Sequence, residues 1–131
     1  MSIRDDLYHV RESVKDLISM EITLNFFNYN LKSIPISERV QKTPEKILEK
    51  NSIERIELEI RLENQKNNVI KLMNEVEKKL EILKPKERAI IRLYFFTDKT
   101  WEEVAEEFGY TSVHVKNISK DGIEKLLKAY V

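Results

Sequence analysis

Apolar residues in the first quarter of the chain recur every three or four positions, which is the spacing of one helix face. The series is Ile3, Leu7, Val10, Val14, Leu17, Met20, Leu24, Phe27, Leu31 and Ile34. Such spacing gives a narrow seam of the coiled-coil type, so we predict one long helix over residues 2–34. Ser2 is a candidate N-cap, with Asp5 three residues later. One helix cannot bury this seam alone, so a partner helix has to cover it.

A second apolar series follows a polar connection at residues 35–44. Thr43 and Pro44 suit an N-cap followed by a first-turn proline, so a helix is predicted to begin there. Asn51-Ser52 is a candidate break, after which helical spacing resumes over residues 53–83: Ile53, Ile56, Ile60, Val69, Met73, Val76, Leu80 and Leu83. The six polar residues 63–68 have two interpretations, a solvated stretch or a polar layer that fixes the register between partner helices.

The two long helices can pack as an antiparallel hairpin or pair with a second copy of the chain. Residues 1–82 are therefore predicted to form a helical hairpin or coiled-coil region. Oligomerisation, as a dimer, or binding of a partner protein is the role expected for it.

The last third of the chain is divided into shorter elements. Pro85 begins a short predicted helix that runs to residue 96, and the next three residues form a turn. Thr100 with Glu103 is a capping box for a helix that ends at Gly109. Thr111 or Ser112 caps a third helix that runs to about residue 129, with a buried face of Val115, Ile118, Ile123, Leu126 and Leu127. This order is typical of a helix-turn-helix unit, so residues 83–131 are predicted as a second domain of an all-α protein.

Composition narrows the fold and function classes. The 131 residues include only 2 Gly, 3 Pro and no Cys, which disfavours β-sandwiches, glycine-rich phosphate loops, disulfides and Cys-ligated zinc. The first ten residues lack the apolar core of a signal peptide, and no apolar run reaches the length of a membrane span. We therefore expect a cytoplasmic protein with no membrane partner.

Charge is balanced overall but unevenly distributed. The 23 Lys+Arg and 23 Asp+Glu residues cancel, which excludes a highly basic DNA coat protein. Residues 84–92 nevertheless carry net charge +3, residues 101–110 carry −4, and residues 111–120 carry +2. This distribution is compatible with selective rather than indiscriminate DNA binding.

The stretch from Leu83 to Leu127 resembles region 4 of bacterial sigma factors, the region that reads promoters. The residues that match this pattern are Leu83, Glu87, Arg88, Thr100, Glu102, Glu103, Val104, Ala105, Gly109, Thr111, Val115, Ile118, Lys125 and Leu126. Three residues depart from it: Val113 and His114, where charged residues are frequent, and Gly122, where alanine is usual. The resemblance implies a helix-turn-helix domain that binds double-stranded DNA, with RNA polymerase as a candidate partner.

The whole chain also resembles phage-encoded regulators of the ArpU/RinA type from low-GC Gram-positive bacteria. These combine a helical N-terminal half, a polar linker and a sigma-like C-terminus. The residues that match the linker pattern are Ser37, Arg39, Val40, Gln41 and Thr43. This resemblance implies a late-gene transcription activator of a phage or prophage.

Recognition helices enter the major groove by their N-terminal residues. The candidate DNA-binding residues there are Thr111, Ser112, Val113, His114, Lys116, Asn117 and Lys120. Asn117 suits a bidentate contact to adenine, and Val113 suits a thymine methyl. Candidates for contacts with the flanking DNA backbone are Lys84, Lys86, Arg88 and Arg92. For His114, an ordinary surface position is the favoured interpretation, and a direct contact with a base or phosphate is the alternative.

Structural explanations compete with several of these assignments. Glu87 and Arg88 are equally explained as members of salt bridges inside the domain. Trp101 and the aromatic run at residues 94–96 are better explained as core. The acids Glu102, Glu103, Glu106 and Glu107 indicate a solvated face, with a polymerase or partner contact as the alternative.

The sequence offers little for an enzyme. His9 and His114 lie in separate segments without metal-ligand spacing, and the carboxylates alternate with lysines along helices. We therefore predict no catalytic residue, no metal and no cofactor.

Two functions other than transcription regulation stay open. One is a DNA-packaging subunit of the small-terminase type, and the other is a helical protein–protein adaptor.

Overall fold

The computed structural model describes the backbone of residues 2–33 and 44–130. Within these ranges the chain forms five helices and no strand: α1 (Ile3–Ser33), α2 (Pro44–Leu80), α3 (Pro85–Phe95), α4 (Trp101–Phe108) and α5 (Ser112–Ala129). The all-α fold class with a C-terminal helix-turn-helix is thereby confirmed. The predicted linker residues Ser37, Arg39, Val40, Gln41 and Thr43 lie outside the described residues.

Helix α1 begins where the cap pattern predicts. The Ser2 hydroxyl accepts a hydrogen bond from the Asp5 N–H at 3.3 Å, and the Asp5 carboxylate accepts one from the Ser2 N–H at 3.3 Å. The first four residues of the seam are buried: Ile3, Leu7, Val10 and Val14. The seam is therefore confirmed over its first three turns, and Leu17, Met20 and Leu24 are half-buried. The side chains of Phe27, Leu31 and Ile34 are outside the described part.

Helix α2 begins at Pro44, as the position of that proline predicts, and continues without interruption to Leu80. The break suggested at Asn51-Ser52 is therefore wrong. Asn and Ser cost only a few tenths of a kcal/mol inside a helix, which the neighbouring helical turns absorb. The polar stretch at residues 63–68 is also helical, and four of its six residues are exposed.

The chain divides into two compact units. The first unit consists of Met1–Lys15 and Asn68–Val131, and the second consists of Asp16–Asn67. In the second unit an ion pair joins α1 to α2, with the Lys66 ammonium 3.5 Å from the Glu21 carboxylate. A coiled coil and the domain boundary between residues 82 and 83 stay predictions. The first unit draws on residues from both sides of that boundary.

The core of the first unit lies between α3, α4 and α5. Its centre is Ile90, Val104, Ala105 and Val115, and half-buried aromatic residues pack around it. The first turns of α1 also pack against α3. The Arg11 side chain is 7% exposed, donates to the backbone carbonyls of Tyr94 and Thr97, and lies 3.8 Å from the centre of the Tyr94 ring. The N-terminal residues of the chain therefore belong to the same packed unit as the helix-turn-helix.

Candidate nucleic-acid interface

A short turn fixes the direction in which α5 leaves α4. Gly109 adopts φ 69°, the left-handed conformation that ends helices and favours glycine. The Tyr110 N–H donates to the Ala105 carbonyl at 2.9 Å. Thr111 then caps α5, since its hydroxyl accepts a hydrogen bond from the His114 N–H at 3.1 Å. These hydrogen bonds fix the position of the first turn of α5 relative to α4.

Helix α5 has one buried and one exposed face. The buried face consists of Val115, Ser119, Gly122, Ile123 and Leu126. Val115, Ile123 and Leu126 were predicted there, whereas Ile118 and Leu127 are half-buried and Ser119 and Gly122 were missed. The exposed side carries Val113, His114, Lys116, Asn117 and Lys120. Val113 is 64% exposed, so its apolar tip is accessible to another surface.

One flank of this exposed face is formed by Lys86, Tyr110 and His114. The Lys86 ammonium lies 4.4 Å from the centre of the Tyr110 ring. That ring meets the His114 imidazole edge-on, with the ring centres 4.8 Å apart. The structure thus brings two predicted site residues from α3 and α5 together through an aromatic ring between them.

The opposite flank contains a cleft of about 280 Å³. Among its lining residues are Lys116 and Lys120 of α5, Trp101 of α4, and Arg4 and Tyr8 of α1. Arg4 was not predicted as a site residue. Its position beside α5 results from the docking of α1, and no local sequence pattern reports that contact.

An ion pair joins the start of α3 to α5. The Lys125 ammonium donates to both carboxylate oxygens of Glu87 at 2.9 Å, and the Lys84 N–H donates to Glu87 Oε1 at 3.2 Å. Burial raises the pKa of Glu87, but the hydrogen bonds and the charge of Lys125 outweigh burial and lower this pKa below its ordinary value. The salt-bridge interpretation is therefore confirmed for Glu87.

The other basic candidates of α3 differ in their availability. Arg88 is half-buried and Lys84 is exposed. Arg92 donates to the Glu77 carboxylate, with Nε 2.9 Å from Oε2. The prediction that Arg92 reaches a DNA backbone is therefore disfavoured, because its guanidinium is already paired with a carboxylate.

Trp101 stacks on Tyr94 with the ring centres 3.6 Å apart, which confirms its packing role.

The four acids of α4 form an exposed negative face. Glu103 completes the predicted capping box, because its carboxylate accepts a hydrogen bond from the Thr100 N–H at 3.2 Å. That bond and the Thr100 hydroxyl lower the pKa of Glu103. The Lys99 ammonium lies 3.6 Å from the Glu107 carboxylate. A negative surface repels phosphates, so a DNA duplex is favoured on the α5 side of the unit.

In the described ranges, no group of three or more His, Asp or Glu side chains is placed to hold a metal ion. No helix there is long and apolar enough to span a bilayer.

Residues 80–128 match the family model described as Sigma-70, region 4. A search of curated proteins and a search of solved structures gave no match. The matched residues include all of α3, α4 and the exposed face of α5. The C-terminal part of the chain is therefore a sigma region 4-like helix-turn-helix domain of the DNA-binding, regulatory type.

Proposed function

We propose that the chain is a sequence-specific transcription regulator that binds double-stranded DNA through α5. The observation that carries the proposal is the exposed face of α5, whose opposite face is buried in the core. This exposed face carries Val113, Asn117, Lys116 and Lys120. An amide reads the adenine edge and an apolar tip meets the thymine methyl in the major groove, while lysines bind either guanine or a phosphate. Thr111 and Ser112 at the start of the helix offer backbone N–H groups to a phosphate.

Footprinting with the purified full-length chain on a fragment from its own genomic neighbourhood tests this role. The double variant Lys116→Ala with Asn117→Ala is expected to lose sequence-specific protection while helicity is retained. One good bidentate base contact discriminates by about 1–3 kcal/mol, or roughly 5- to 150-fold. Lys128→Ala is the matched control, because Lys128 is an exposed cation near the opposite end of the same helix. Unchanged specificity in the double variant would contradict the placement of α5 in the groove.

The proposal includes a narrower role, a late-gene activator of a phage or prophage that acts with RNA polymerase in the cytoplasm. The resemblance to ArpU/RinA-type regulators and the sigma-type match support it. Transcription in vitro from a phage late promoter, with host polymerase and with or without the chain, tests it. More transcript with the chain is expected. An intact footprint without extra transcript would leave a DNA-binding protein that is not an activator.

Oligomeric state separates this role from DNA packaging. A monomer or dimer in sedimentation is expected of a regulator, whereas a large closed ring would favour a packaging subunit. An adaptor that binds only proteins would bind DNA weakly and without salt dependence, because phosphate contacts impose a steep dependence on salt. The proposal gives the chain no catalytic role.

A further inference from the structure

The cleft beside α5 has an unusual set of charges. Its lining includes three cations, Arg4, Lys116 and Lys120, and no carboxylate. Among the described residues none of these three cations forms an ion pair. Cations held around one cleft repel one another, and an anion placed between them relieves that repulsion. The cleft is therefore suited to a negatively charged group.

The acids nearest to Arg4 in the sequence are already engaged elsewhere. Asp5 accepts the N–H of Ser2 as part of the cap of α1. Asp6 lies 3.9 Å from the Lys79 ammonium. Among the described residues, neither of these two acids pairs with the Arg4 guanidinium.

The cleft lies on one side of the face that the proposed function places in the major groove. Successive helix residues are about 100° apart, so Lys116 lies about 60° to one side of Val113 and His114 about 100° to the other. His114 belongs to the flank with Lys86, and Lys116 belongs to the flank with Arg4. Because a phosphate strand runs along each edge of the major groove, a helix in the groove has one strand on each flank.

We propose that Arg4 of α1 binds a backbone phosphate of the DNA, together with Lys116 and Lys120, and so extends the interface beyond the sigma-like segment. The contact rests on the proposed function, since it requires α5 in the groove. Arg4 lies outside residues 80–128. About two turns further along α1, Arg11 donates to the carbonyls of Tyr94 and Thr97 and so holds α1 against the end of α3. The N-terminal helix therefore acts as part of the DNA-binding module as well as a partner for α2.

The test is a salt titration of duplex binding with the full-length chain, read by fluorescence anisotropy. A plot of log binding constant against log salt concentration has a negative slope, and loss of one phosphate contact makes it less steep by about 0.9. Arg4→Gln is expected to show this drop and an affinity about eightfold lower at about 0.1 M salt. Arg4→Lys should restore most of the slope, because an ammonium also neutralises a phosphate. Lys15→Gln is the matched control, since it removes an exposed cation from the same helix.

A comparison of specific and random duplexes separates this contact from base reading. Arg4→Gln should weaken binding to both duplexes by the same factor. Lys116→Ala with Asn117→Ala should also weaken both, but it should in addition reduce the ratio between them, because Asn117 is the proposed base contact. An unchanged slope for Arg4→Gln, with specificity still lost in the double variant, would overturn the Arg4 contact and leave the proposed function standing. No DNA binding by the wild-type chain would overturn both. If Arg4→Gln binds DNA normally but loses transcription with polymerase, the cleft binds a protein instead.

Discussion

A methyl group added at Gly122 tests how closely α5 approaches α3. A Cβ atom at this position would lie 2.9 Å from the Ile91 Cδ1 atom and 3.6 Å from atoms of Glu87 and Leu83. Ile91 is completely buried, so its terminal methyl has little room to move. This contact also gives a physical reason for glycine at a position where the sigma-type pattern usually has alanine.

Two opposing terms decide the effect of Gly122→Ala. Alanine is favoured over glycine inside a helix by about 1 kcal/mol. Overpacking of a well-filled core costs about 1–3 kcal/mol. The net expectation is a loss of about 0–2 kcal/mol in the free energy of unfolding. On helix propensity alone, the substitution would stabilise the protein.

The Ile91→Val background isolates the packing term. Valine lacks the Cδ1 atom and costs about 0.5–1.5 kcal/mol by itself. In this background the new methyl meets its nearest remaining neighbours at 3.6 Å, which is ordinary van der Waals contact. Gly122→Ala should therefore stabilise the Ile91→Val protein by about 1 kcal/mol. The coupling energy between the two sites is then about 1–3 kcal/mol.

Urea denaturation followed by tryptophan fluorescence measures these values. Trp101 is the single tryptophan of the chain and stacks on Tyr94 within the first unit, so it reports on the unfolding of that unit. The four proteins of the cycle are compared at one pH. An equal effect of Gly122→Ala in both backgrounds would refute the contact with Ile91. Equal stabilisation by about 1 kcal/mol would mean that the methyl enters open space.

Two further substitutions test the contacts that hold the unit together. Glu87→Gln should destabilise the unit by about 1–2 kcal/mol at neutral pH, because Lys125 loses its charged acceptor. Since the folded pKa of Glu87 is lowered, the carboxylate stabilises the fold above pH 4.5, and that contribution is lost as pH falls through the folded pKa. In urea titrations, the difference in the free energy of unfolding between Glu87→Gln and wild type should therefore shrink below pH 4.5. A difference that stays constant with pH would contradict the ion pair. Arg11→Met keeps an apolar stem but leaves two half-buried carbonyls without their donor and removes the cation from the Tyr94 ring. A loss of about 1–3 kcal/mol in the free energy of unfolding, measured by Trp101 fluorescence, is therefore expected. A melt identical to wild type would show that α1 does not dock on α3.

Features that depend on neighbours in the sequence were predictable. The Thr100 capping box, the Gly109 stop and the Thr111 cap each involve residues within five positions of one another. The apolar spacing likewise identifies the seam of α1, because a helix repeats every 3.6 residues. The family pattern extended this to the helix-turn-helix and to the exposed face of α5.

Features that join distant segments could not be predicted in this way. Spacing shows that the seam of α1 needs a partner, but it does not specify which helices its first turns contact. Helix packing places Arg4 and Lys116 around one cleft and Arg11 against Tyr94, and each pair is more than 80 positions apart in the sequence. Gly122 gave no local sign of its contact with Ile91. Such contacts are set by the angle and depth at which helices meet, and periodicity along one helix carries no information about either.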